Sequence, residues 1–210
     1  MKGNLSTEAY NHWIAVAKFF KSFSYSRLVQ RYGDVPYFEK TVGSADLDIL
    51  YKDRDDRVYV MDQVMAMCKD VLANLRTNDG DNKLNRYVAA AYISRWFLFE
   101  GTWQKYHSAA IGGGNMEAAN KYLAFAKDAA EIVINSGNYE IDLPLRDLFG
   151  SESLSSKEAL MVREFSDAQA VRHCVASYSN SVESQAGLNL DFLKSVIRVD
   201  GKPYTTSSTY

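Results

Sequence analysis

The chain has 210 residues, room for one or two domains, with 47% hydrophobic and 24% charged residues, an ordinary balance for a soluble globular protein. Its formal net charge is −2 and the two signs are mixed along the sequence, which excludes the basic stripe that nucleic acid or an anionic membrane surface requires. Two cysteines, Cys68 and Cys174, make no disulfide framework and leave the redox compartment open.

MKGNLSTEAY carries no apolar signal core. From Trp13 the apolar side chains recur at helical spacing. Trp13, Ile14, Val16, Ala17, Phe20, Phe23 and Leu28 form one broad arc, and Ala15, Ser22, Ser26 and Val29 a slimmer stripe opposite it. A helix of this kind is expected to have packed neighbours on two sides, the slim stripe allowing close approach. Gly33 and Pro36 then stop it.

A long connection leads to a second helix expected over about 55–76, with Met61, Val64, Cys68, Val71 and Leu75 on its apolar face. Cys68 therefore reads as a buried free thiol. The cluster Asp53, Arg54, Asp55, Asp56, Arg57 reads as a solvated helix start, and its spacing does not call for a metal. The turn TNDGDN precedes a third helix from about Lys83 to Gly101 or beyond, in which Arg95 needs a helix terminus or carboxylate as partner. A loop with Gly112, Gly113 and Gly114 reads as a flexible link. The fourth helix is expected over about 115–136, capped by Asn115 and ended by Gly137.

These four helices predict a mainly all-α fold of tetratricopeptide-like hairpins over 1–150, with irregular segments and little strand. Beyond 150 the periodicity fades, so 151–210 reads as an irregular segment packed on that scaffold: 177–184 is polar, and 187–199 is apolar enough to pack on something. The longest mostly apolar run, 87–99, is short of a membrane span.

The pattern A-x-F-F-x-x-F-x-Y-x-x-L-V-x-R-Y-G-D-V-P, from Ala17 to Pro36, resembles the hallmark segment of the SusD/RagB family. The run ANKYLAFAKDAAEIVINSGNYEI, then LRDLF and EALMVREF, and finally GLNLDFLKSVIRVDGKPY resemble later family segments in the same order. The chain lacks the family's usual turn before the third helix, having DGDNKLNRY there, and resembles an internal fragment or truncated copy. The resemblance implies a surface-exposed lipoprotein of the outer membrane of Bacteroidetes. Such a protein captures a glycan and delivers it to a TonB-dependent SusC-like transporter. A signal peptide and lipidated cysteine would precede the matched segments.

No sequence feature calls for an enzyme, a cofactor or a metal. His12, His107 and His173 lie far apart, the glycine run lacks a phosphate-loop context, and no carboxylate pair is singled out. The ligand-binding candidates are Trp103, Gln104 and Tyr106 in EGTWQKYH. Two flat rings near a helix end can present faces to sugar C–H groups, with the amide for hydroxyls. The family's own ligand-contact aromatics lie outside the segments matched here. The alternative reading is a helical scaffold that holds another protein and binds no sugar; a hydrolase is a third, remote reading.

Overall fold

The computed structural model describes residues 5–151, 156–166, 168–172, 174, 178–179 and 186–209. The polar stretch 177–184 and His173 thus fall largely or wholly outside the described residues. The fold is all-α. Seven helices are described: α1 Thr7–Tyr32, α2 Leu47–Leu50, α3 Arg57–Asn74, α4 Arg86–Tyr106, α5 Met116–Ile134, α6 Leu145–Gly150 and α7 Leu190–Ser195. A 3-10 turn spans Ala109–Ile111. Among the described residues no sheet forms, only three isolated bridges.

The four long helices make two antiparallel hairpins, α1 with α3 and α4 with α5. Local chemistry starts each of them. Ser6, Asp56, Asn85 and Asn115 are the N-caps, and each accepts backbone N–H groups of the first turn. The antiparallel sense of the first hairpin shows in its cross-links: Glu8 pairs with Arg76 and Lys18 with Asp70, while Asp34 meets the start of α3. In the second, Phe97 packs on Tyr122 and Phe125. Gly101 lets the backbones close, because a Cβ there would stand 2.7 Å from Leu123 Cγ.

The segment that ends α1 works as a clasp. Gly33, at φ 75°, leaves the helix while its N–H bonds Val29 O. Asp34 Oδ1 then accepts the Arg57 N–H at 3.0 Å. Val35 forms a bridge with Asp55, whose carboxylate accepts the Tyr37 N–H at 2.6 Å and pairs with Lys52. Finally, Phe38 N–H donates to Tyr25 Oη at 2.8 Å. The glycine–aspartate–proline stop thereby ties the end of the first helix to the beginning of its partner.

Burial on α1 differs from the sequence expectation. The buried set is His12, Ala15, Phe19, Ser22, Ser26 and Val29, the slim stripe rather than the broad arc. Trp13 is 53% exposed and Phe20 55%, with Ile14 and Leu28 also at the surface. Small side chains bring α3 close, so Cys68 and Ser22 meet across the interface. Burial pushes the Cys68 thiol up to about 12, so it is an inert apolar filler. The neighbour on a second side is α4, reached by Phe19 and Phe23 through Tyr92 and Trp96. His12 is a core histidine: Nδ1 accepts the Arg76 N–H, and Nε2 faces Asp79 at 3.5 Å.

Two further expectations need correction. Arg95 lies exposed on α4, and among the described residues no carboxylate pairs with it. The triple glycine is not a flexible link but a close-packed loop. Gly114 N–H bonds Gln104 O, and a Cβ on Gly113 would sit 2.6 Å from His107 O.

By its internal contacts the chain divides into two units, 1–162 and 163–210. The stretch after α6 stays with the first, since Val162 N–H donates to Asn82 at 2.7 Å. The second unit contains α7, a Ser166–Val171 bridge and an Ile197–Pro203 bridge closed around Gly201. None of its described residues is buried.

Gly101→Ala should lower stability by about 1–3 kcal/mol through overpacking against Leu123, read as a shift of the urea midpoint. Lys52 and the Tyr37 amide hold the Asp55 carboxyl below its usual range. A depressed folded-state value means the stabilisation is present at neutral pH and is lost as pH falls below about 4. Asp55→Asn should therefore lower the melting temperature at pH 7 and flatten its decline on acidification. A decline as steep as in the parent chain would remove Asp55 from the clasp.

Candidate functional site

The three residues singled out in EGTWQKYH sit at the end of α4 and do not form one surface. Gln104 is completely buried. Its amide donates to Glu100 Oε1 at 3.0 Å and to Gly112 O at 2.8 Å, holding the glycine loop against the helix. Trp103 stacks on His107 at 3.9 Å and on Phe99 at 6.0 Å, and the Arg57 guanidinium lies 4.3 Å from its ring. The stacking surface of the indole is occupied from within the protein. Tyr106 alone is open, 71% exposed, with the Lys105 ammonium over its ring.

What fills this corner is an ion pair absent from the sequence reading. Arg57, expected in a solvated charge cluster, is buried, and its Nε and Nη2 each reach a Glu100 oxygen at 2.7 Å. The side chains of the pair are 3% and 1% exposed. Two parallel hydrogen bonds, the Gln104 amide and the indole face offset the cost of dehydrating both charges. Nearby, the Tyr122 hydroxyl is shared between Asp62 Oδ1 at 2.8 Å and Val58 O at 3.0 Å. Burial and the Asp62 carboxylate raise the Tyr122 phenol above its ordinary value, so it stays a neutral donor. The EGTWQ stretch is thus the junction between the hairpins.

Open concave surface lies instead beside the clasp. A cleft of about 420 Å³ runs along the carboxyl end of α1, lined by Tyr25, Leu28, Tyr32, Pro36, Phe38 and Arg54, with Asp34 and Val35 also contributing. A second, shallower depression of about 530 Å³ adjoins it and shares Leu28 and Tyr32. Arg27 and Arg31 border this one, with Ser24 and Gln30. Tyr32 is 58% exposed, so its ring forms the ridge common to both. The first cleft falls in the range that takes small ligands. Its chemistry is flat apolar faces plus guanidinium donors, suited to holding a ligand.

Nothing in the sequence separated this cleft from an ordinary helix stop. Tyr25, Leu28 and Tyr32 lie on successive turns of α1, while Phe38 and Arg54 reach it only because the clasp folds back. Among the described residues no group of three His, Cys, Asp or Glu side chains could hold a metal ion. Among them, too, no helix is long and apolar enough to cross a membrane.

Glu100→Ala should cost about 3–5 kcal/mol because it strands the Arg57 charge in the interior. The double substitution Arg57→Met, Glu100→Leu should recover most of that loss in urea unfolding. An additive double mutant would mean that the two side chains do not act as a pair.

No protein-family model, curated protein or solved structure matches this chain.

Proposed function

We propose that this chain is the helical, tetratricopeptide-like part of a SusD-like nutrient-binding protein that holds a glycan at the cell surface and passes it to a TonB-dependent SusC-like transporter. It acts as a binder, not as an enzyme. The observation that carries the glycan reading is the aromatic cleft at the end of α1, where Tyr25, Tyr32 and Phe38 surround a sugar-sized space. Apolar faces of pyranose rings pack on such side chains, and the Arg54 guanidinium supplies donors for hydroxyls. Supporting the family reading, Gly33, Asp34 and Val35 of the RYGDVP run each have a definite task where α1 meets α3, the kind of local rule a repeated structural unit needs. Outer-membrane placement, and an anchor on that membrane, belong to the same reading.

A second reading, a helical scaffold for another protein without sugar binding, is favoured by one specific feature. Trp13 and Phe20 project from α1 into solvent two turns apart, which is the spacing of a helix-docking surface.

Calorimetric titration with a panel of neutral and acidic oligosaccharides should detect binding. Tyr32→Ala should weaken it about tenfold, the loss of one well-stacked ring. Trp103→Ala should lower the melting temperature and leave glycan affinity unchanged as long as the chain is folded. Affinity lost with Trp103 but kept without Tyr32 would return the site to the end of α4. Absence of any glycan binding, with a transporter recovered from membrane extract and its capture abolished in Trp13→Ser, would establish the scaffold.

A further inference from the structure

Seven cations among the described residues of the first unit are spent on carboxylates: Lys18 on Asp70, Lys52 on Asp55, Arg57 on Glu100, Arg76 on Glu8 and Asp79, Lys121 on Asp62, Lys127 on Glu131 and Lys157 on Glu140. Arg27, Arg31 and Arg54 are not. All three are exposed, and among the described residues none forms an ion pair. Other described cations of the unit, Arg86, Arg95, Arg146 and five lysines, form no ion pair either, but these three border the two adjoining depressions divided by Tyr32 and Leu28. Arg27 and Arg31 are one helical turn apart and lean over aromatic rings, at 5.5 Å from the Phe23 centroid and 5.6 Å from that of Tyr32. Stacking of this kind restricts where a guanidinium can point and lowers the entropy lost when it binds.

Against these three charges the lining carries one carboxylate, Asp34, and its Oδ1 already accepts the Arg57 N–H. The surface is therefore cationic and forked, with a flat apolar ridge through the middle. Planar donors of this geometry match carboxylates in a bidentate manner, and the ridge matches the apolar face of a sugar ring. A neutral glycan would use the ridge and leave the arginines idle. An acidic peptide would use the arginines and gain little from a cleft floored by Pro36 and Phe38.

From this, and resting on the glycan reading above, we infer that the ligand of the α1 clefts is an acidic oligosaccharide. Its uronate carboxylates pair with Arg27, Arg31 and Arg54, and one sugar ring lies on Tyr32 and Leu28.

The test is isothermal titration calorimetry of the full chain with tetragalacturonate, neutral maltotetraose and a short polyglutamate, at low and high salt. Tetragalacturonate should bind roughly tenfold more tightly than maltotetraose, as two charge-assisted contacts allow. The preference should shrink at high salt because the arginines are exposed. In the double variant Arg31→Gln, Arg54→Gln it should fall to about twofold or less, with an unchanged melting temperature verifying the fold. Equal affinity for the two tetrasaccharides would overturn the acidic class and leave glycan binding standing. Polyglutamate binding as tightly as tetragalacturonate would replace the sugar site with a general anion surface. Silence with both tetrasaccharides would remove the acidic class and the glycan reading together.

Discussion

Everything in the first unit converges on one buried guanidinium. Arg57 opens α3: its backbone N–H bonds Asp34 at the end of α1, and its side chain reaches Glu100 and Trp103 on α4. One residue thus touches the clasp, both hairpins and, through Gln104, the glycine loop. Hydrophobic contacts such as Phe19 on Trp96 also bridge α1 and α4, but they tolerate sliding. A bidentate pair with every donor in a fixed fork does not. Its net contribution to stability is modest once dehydration is counted, while its two parallel hydrogen bonds fix one geometry between α3 and α4. The pair adds a directional contact to the aromatic packing of Phe19 and Phe23 on Tyr92 and Trp96 between the hairpins.

The same division between packing and direction explains what could be read from the residues in order. The four long helices were legible, and the start of α5 with them because capping is local: Asn115 announces its helix within four residues. The start of α1 at Thr7 and the short helices α2 and α6 were not, since no apolar period marks them. Cys68 was placed inside because α3 has one apolar face. For α1 the rule fails, since apolar residues surround the helix and the periodicity carries no preferred direction. Burial was then decided by which stripe let another backbone approach. Ala15, Ser22 and Val29 won that contest against Trp13 and Phe20, whose larger rings would hold α3 away.

The site was less legible, for a related reason. Trp103 and Gln104 have the residue types of a sugar platform, and their sequence neighbours give no hint that Arg57 will arrive from another hairpin. The DRDDR cluster, uniform as a sequence, divides in space into four tasks. Asp55 accepts from the clasp and Asp56 caps α3, while Arg57 enters the core and Arg54 faces the cleft. A charge run can be assigned to solvent only when nothing in the fold needs its members individually. Here the long connection between α1 and α3 returns across the helix end and gives each residue a different environment.

That return also determines what kind of surface the cleft is. Its walls are the last turns of α1 and the segment 34–38, which is fixed at three points by Asp55, by the Arg57 N–H and by the Tyr25 hydroxyl. Tyr25 belongs to the wall and to the fastening at once. A ligand entering this space does not have to order a loop, so little of its contact energy is lost to conformational entropy. Of the exposed arginines at the rim, Arg27 and Arg31 lean over aromatic rings, which limits where their donors point. The clasp that closes the first hairpin is therefore also what gives the end of α1 a pre-ordered concave surface, and Arg57, fixed by its buried pair with Glu100, holds that clasp through its backbone N–H.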